Sequence, residues 1–275
     1  MRGCGVLSSL PGTQFFRNLI ERRALLYQLV RRDFERRFVG SAGGWLWGVI
    51  HPLVLLLSWT FVFHFAMGSP VPKNAGTDSY TLFVFCGYLP WMLFQETVQR
   101  SSTSLIESSN LITKTVFPSE LVPLSIFCSS LISHAISLVL AVIAVLVWGG
   151  GVGWALLWLP VFVFLLALLA TGLSWIVAAF QVYLRDTAQA VMVLLTLWFW
   201  VTPIFIEVSQ VPERLRWLPR LNPLTAFVQV YRGGLLSHTS PALGDLAYAA
   251  AFSVTVFVVG GLIFRQLKRG FADVL

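Results

Sequence analysis

The sequence predicts an all-α membrane protein. Six transmembrane helices follow an N-terminal amphipathic helix that lies along the membrane surface, and both termini are cytoplasmic. Three observations carry this. The 275 residues are 57% hydrophobic and only 11% charged, whereas a soluble domain carries about 25% charged residues. The mean hydropathy is +0.78, so the surplus apolar surface needs lipid as its solvent. The apolar runs are continuous rather than alternating, which favours a helix bundle over a barrel.

The amphipathic stretch is Phe15–Val39, within the interface segment 14–39. At 100° per residue Phe16, Leu19, Ile20, Tyr27, Val30, Phe34 and Phe38 share one stripe, interrupted by Arg23. Arg17, Arg22, Arg31, Arg32 and Arg36 lie off its centre. Such a helix suits an anionic membrane surface. It is too charged to be the apolar core of a signal peptide, and no cleavable targeting segment is expected.

The spans are placed at 45–67, 80–99, 120–148, 154–182, 187–206 and 244–265, each near the roughly 20 residues that a bilayer core requires. Charge orients them. Fourteen of the 19 basic residues fall on one side: the eight arginines before span one, then Arg100, Lys114, Arg185, Arg265, Lys268 and Arg269. The positive-inside rule makes that side cytoplasmic. The net charge of +7 therefore reflects span flanks rather than nucleic-acid binding. Cytoplasmic loop 101–118 is polar, with room for a short helix. External region 207–243 is broken by Pro212, Pro219, Pro223 and Pro241 into segments Glu213–Leu218 and Leu224–Leu236. The second has helical apolar spacing and reads as a half-helix dipping into the interface.

Chemistry-bearing motifs are few. The glycines at 149–153 lack a following Lys-Ser/Thr and read as a turn, not a P-loop, so an energy source would have to be borrowed. His51, His64 and His134 have neither metal nor triad spacing. Cys4, Cys86 and Cys128 show no metal-ligand pattern. No metal, bound cofactor or catalytic residue is expected. Gly40, Gly44 and Gly48 recur every fourth residue and read either as a close helix contact or as a hinge into the membrane. The chain holds 11 Trp and 22 Phe. Trp59, Phe61, Phe63 and Phe65 crowd one span, and Trp198, Phe199, Trp200 and Phe205 another. They read either as lipid-facing and packing bulk or as an aromatic-lined passage. In a passage, flat rings would stack on the C–H faces of sugars and let them slide.

The order of short segments resembles the membrane subunits of ABC-2-type polysaccharide exporters. These segments are Arg32-Asp33, Arg36-Arg37-Phe38-Val39-Gly40, Trp45, His51-Pro52, Gly87-Tyr88-Leu89-Pro90-Trp91 and Phe94. Then come Ser108–Lys114 with Phe117-Pro118 and Pro123, Tyr183–Asp186, Thr202-Pro203-Ile204, Trp217, Asn222-Pro223-Leu224 and Arg232. Val39-Gly40 departs from the family's usual Leu-Gly.

The resemblance implies a permease without a nucleotide site. It would form a homodimeric channel with two copies of a cytoplasmic ATPase that carries ATP and Mg. Its substrate would be a polyprenyl-diphosphate-linked glycan, O-antigen first, with capsule, teichoic acid or a small lipid or drug as alternatives. A membrane enzyme or scaffold of glycan assembly is the rival class, and it lacks the catalytic cluster it would need. The resemblance places ATPase docking on Glu107, Asn110, Leu111, Ile112 and Lys114. It places a periplasmic gate on Trp217, Asn222, Pro223, Phe227, Tyr231 and Arg232. Arg36 and Arg37, ahead of Gly40, are candidates to grip the diphosphate, because arginine binds phosphate through paired hydrogen bonds. Their other reading is orientation and anionic-lipid binding.

Overall fold

The structure is a computed structural model and describes residues 22–38, 44–72, 75–114, 117–148 and 151–274. Gly40 and the surface stretch before Arg22 lie outside the described residues. Every regular element among the described residues is a helix. Four stretches are long and apolar enough to cross a membrane: Trp47–Ala66, Leu121–Trp148, Trp154–Tyr183 and Leu243–Gly270.

Helix α1 (Arg23–Phe38) is the described part of the arginine-rich stretch. Its inward face matches the stripe that the apolar periodicity suggests at Val30 and Phe34 but not at Tyr27. Tyr27 is 67% exposed, while Leu25, Leu26, Leu29, Val30, Asp33, Phe34 and Arg37 are the half-buried positions. The helix rolls this way because Asp33 and Arg37 find partners on the bundle, and a buried charge needs one. Gly44, with φ +48°, supplies the turn that leads through Gly44–Leu46 into α2 (Trp47–Thr60). The α2 axis continues as a π-helical segment, Phe61–Ala66.

Helix α3 (Tyr80–Glu107) is the central post, starting at the Ser79 hydroxyl, which caps Leu82 N–H at 3.4 Å. Its 28 residues span about 42 Å at 1.5 Å per residue. Neither Gly nor Pro interrupts the sequence after Pro90, so the helix continues to Glu107 instead of giving way to a loop near residue 100. A short helix α4 (Ser109–Lys114) follows. α5 (Leu121–Trp148), α6 (Leu159–Tyr183) and α7 (Thr187–Val201) complete the central bundle.

α7 has only 15 residues, shorter than the 187–206 span expected from hydropathy. The residue before a proline is pushed to extended backbone, and Thr202, ahead of Pro203, has φ −81° and ψ 129°. Beyond a short α8 (Trp217–Leu221), α9 (Pro223–Arg232) begins where Asn222 accepts from Leu224 N–H at 3.0 Å and Pro223 occupies the first turn. It dives into the bundle, with Phe227 and Tyr231 fully buried. A left-handed His238 (φ 56°) ends the π-helical segment Gly233–Ser237 that follows. α10 (Leu243–Leu267) and a terminal α11 (Phe271–Val274) close the chain.

α10 packs along α6, where Gly172 and Gly260 meet backbone to backbone. A Cβ on Gly172 would lie 2.6 Å from Phe257 Cα, and one on Gly260 would strike the Gly172 carbonyl. Small residues that let backbones touch are how helices associate in lipid. One end of the bundle gathers α1, α4, α11 and the ion pair Lys268–Glu120. The opposite end gathers the segment after α7, α9 and the turn at Trp154–Trp158.

Candidate functional site

Five helices line an open cavity of about 490 Å³. α2 contributes Trp47, Gly48, His51, Pro52, Leu55 and Trp59. α3 contributes Tyr88, Met92, Gln95, Glu96 and Gln99, at helical spacing on one face. Arg37 of α1, Ser133 of α5, and Thr196 and Phe199 of α7 complete the wall.

The aromatics sort into three groups. Trp59 stands edge-on to Tyr88 with ring centroids 4.8 Å apart and lies 5.3 Å from both Phe199 and Phe205. Phe63 stacks on Phe205 at 4.5 Å. These rings form one continuous cluster reaching from the cavity to the opposite end of the bundle. Phe61, Phe65 and Trp200 are exposed on the outer surface of this chain. Trp198 belongs to the scaffold instead. Its indole donates to Asn222 Oδ1 at 2.8 Å, and the Asn222 amide donates to Thr202 Oγ1 at 2.9 Å. Asn222 thereby ties the end of α7 to the start of α9.

The cavity's α1 side is ionic. Arg37 pairs with Glu96 and donates to Ser133 Oγ at 2.7 Å. Ser130 donates to Glu96 at 3.0 Å, and Arg100 lies 3.6 Å from the same carboxylate. Arg100 also binds Asp33 at 2.6 Å. Burial, helped by the neighbouring Arg100 charge and opposed by Asp33, lowers the Arg37 guanidinium to about 10. It therefore stays cationic at neutral pH.

Arg36 points elsewhere. Neighbours on a helix are separated by about 100°, and Arg36 lines a second cavity of about 240 Å³ with Arg32, Asp33, Ser104, Glu107, Asn110 and Leu111. The two arginines face different spaces, so they do not form one joint clamp. Among the ATPase-docking candidates, Glu107 and Asn110 are exposed, while Leu111 and Ile112 are half-buried. Ile112 rests against the small core of Leu105, Val122, Trp175, Phe264 and Phe271. The Lys114 side chain lies outside the described residues.

The gate candidates hold the α9 region in place. Phe227 meets Phe162 edge-on at 5.6 Å, and Tyr231 hydrogen-bonds His134 at 2.9 Å. Trp217 is exposed. Arg232 is 8% exposed and donates to the carbonyls of Phe83 at 3.2 Å, Pro203 at 2.9 Å and Ile204. Its guanidinium carbon sits 3.6 Å over the Phe83 ring. Gly87 leaves room for it, since a Cβ there would lie 2.6 Å from the guanidinium.

Sequence reading missed the polar face of α3. Tyr88, Gln95 and Gln99 recur at i, i+7 and i+11 in a run that is apolar from Leu89 to Phe94. That stripe was the available signal, and the search for charged or metal-type residues passes over neutral amides. Among the described residues no group of three or more His, Cys, Asp or Glu could hold a metal ion.

Residues 24–236 match the ABC-2 type transporter family. The chain is 30% identical over 259 residues to the O-antigen export system permease protein RfbA of Myxococcus xanthus, covering 94% of this chain and 97% of that protein. It is 29% identical over 258 residues to an O-antigen export system permease protein RfbA of Klebsiella pneumoniae, covering 91% and 95%. A second Klebsiella pneumoniae protein of that name is 28% identical over 253 residues.

Proposed function

The chain belongs to the ABC-2 type transporter family, and from that premise we propose that it is the permease subunit of an ATP-driven exporter of lipid-linked O-antigen polysaccharide. The observation that carries this is the reach of the similarity. It extends along 94% of the chain and 97% of a relative named as an O-antigen export permease.

In this reading the protein sits in the bacterial inner membrane with α1, α4 and both termini on the cytoplasmic side. Two copies form the channel. A separate ABC ATPase, also in two copies, binds ATP and Mg, and this chain does no chemistry of its own. The exposed α4 face, with Glu107 and Asn110, meets that ATPase. Because α3 runs unbroken from the cavity wall to α4, motion imposed at α4 reaches the cavity through one helix. Arg37, cationic at the cavity's cytoplasmic rim, is the contact for the carrier diphosphate, with Glu96 occupying it beforehand. Arg36 serves the membrane surface. The rings of Trp59, Phe63, Phe199 and Phe205 mark the path outward. The α9 region, held by Arg232, forms the periplasmic gate.

Deleting the chain from its host, and restoring it as wild type or Arg37→Ala, tests the reading. The deletion should abolish surface O-antigen and leave lipid-linked polymer inside. Wild type should restore export, and Arg37→Ala should fold but export at least tenfold less. Undiminished surface O-antigen in the deletion strain would contradict the assignment.

A further inference from the structure

The middle of the 490 Å³ cavity is neutral but not apolar. Tyr88 is only 6% exposed. Its hydroxyl has no hydrogen-bond partner among the described residues, although its ring lines the cavity. A phenol hydroxyl both donates and accepts, so it can pair with a polar group that enters the cavity. About two turns further along α3, Gln95 is oriented by its neighbour, since the Trp91 indole donates to Gln95 Oε1 at 2.5 Å. An indole can only donate, so the amide oxygen must face Trp91. Both Gln95 N–H donors are then left for the cavity. Beside Tyr88, Trp59 at 4.8 Å and Phe199 at 6.4 Å between ring centroids add ring surfaces to the same wall. The cavity's two ionic side chains, Arg37 and Glu96, pair with each other at one side.

We propose that this cavity binds a neutral sugar ring, with Tyr88 and Gln95 reading its hydroxyls while Trp59 and Phe199 pack on its C–H face. The inference rests on the export reading. It deepens that reading by assigning the sugar nearest the carrier lipid to this subsite and making Tyr88 and Gln95 specificity-determining. The volume lies within the roughly 300–1,000 Å³ of small-molecule sites. An acyl chain in the same space would leave the phenol and the amide unpaired, whereas a polyol satisfies both. A phosphate meets its cation, Arg37, only at the rim; the donors at Tyr88 and Gln95 are neutral and suit a sugar.

The test uses the full chain in nanodiscs and saturation-transfer NMR with methyl glycosides of glucose, galactose and mannose. Wild type should show transfer to at least one of them. Tyr88→Phe, which keeps the ring and removes only the hydroxyl, should weaken binding about three- to tenfold, the range for one lost hydrogen bond. Gln95→Leu should do the same with thermal unfolding of the variant as a folding control. No transfer to any glycoside, or transfer that both variants leave unchanged, overturns the proposal. Export is read separately as surface O-antigen. A wild-type chain that exports normally but binds no glycoside rejects the subsite alone. One that binds a glycoside but cannot restore export rejects the permease reading instead.

Discussion

Arg232 shows how a single charge can be held deep in an apolar bundle. Three backbone carbonyls from two separate segments accept its N–H groups, and the Phe83 ring lies beneath it. The planar fork of arginine reaches all three at once, and a lysine ammonium is too compact to do so. Interhelical hydrogen bonds in membranes average about 0.6 kcal/mol each, so three of them amount to roughly 2 kcal/mol. Arg232→Lys should therefore lower the thermal stability of the detergent-solubilised protein by about that amount. Melting unchanged from wild type would show that the carbonyl contacts carry no weight. At this scale the sequence was only partly legible. The apolar spacing of Leu224–Leu236 reads as a half-helix, and α9 (Pro223–Arg232) covers its first part. Arg36 and Arg37 looked like a pair because adjacency in sequence hides the turn of the helix, and only the fold reveals that they line different cavities.

At the scale of elements, the docking of α1 decides where Arg37 points. Two ion pairs hold α1 against α3, Arg100–Asp33 and Arg37–Glu96, with Ser133 of α5 as a third contact. The Asp33 and Arg100 side chains are 21% and 28% exposed, so solvent screens the pair and its worth is modest. A double-mutant cycle with Asp33→Asn and Arg100→Gln should give a coupling of about 0.5–1 kcal/mol in thermal unfolding. Additive effects would mean that the Asp33–Arg100 pair does not help to hold α1. Hydrophobic periodicity had set Tyr27 in the buried stripe, and it points outward. Periodicity weighs only apolar side chains, while here the polar pairs with α3 and α5 set the roll of the helix. Continuous apolar runs made α5, α6 and α10 easy to read. The extent of α3 was harder, because a polar composition after residue 100 says where lipid ends, not where a helix does.

Across the whole molecule, one 42 Å post, by about 1.5 Å for each of its 28 residues, joins everything the export reading needs. α3 carries the Arg232 carbonyl contact near one end, the cavity face in its middle and the Glu96–Arg100 network beyond that. It hands over to α4 at the other end. The all-helical class and the family were legible from composition and from the order of short segments. The cavity was not, because its lining comes from five helices whose neighbours cannot be read from spacing along one chain. In the export reading this chain, driven by a partner ATPase, moves a lipid-linked glycan across a bilayer. Co-reconstitution of the two proteins in proteoliposomes loaded with polyprenyl-diphosphate-linked O-antigen on the ATPase side tests it most directly. Glycan should reach the far side, becoming sensitive to an enclosed glycosidase, only when ATP is supplied. Movement without ATP, or ATP turnover with no glycan crossing, would contradict the account.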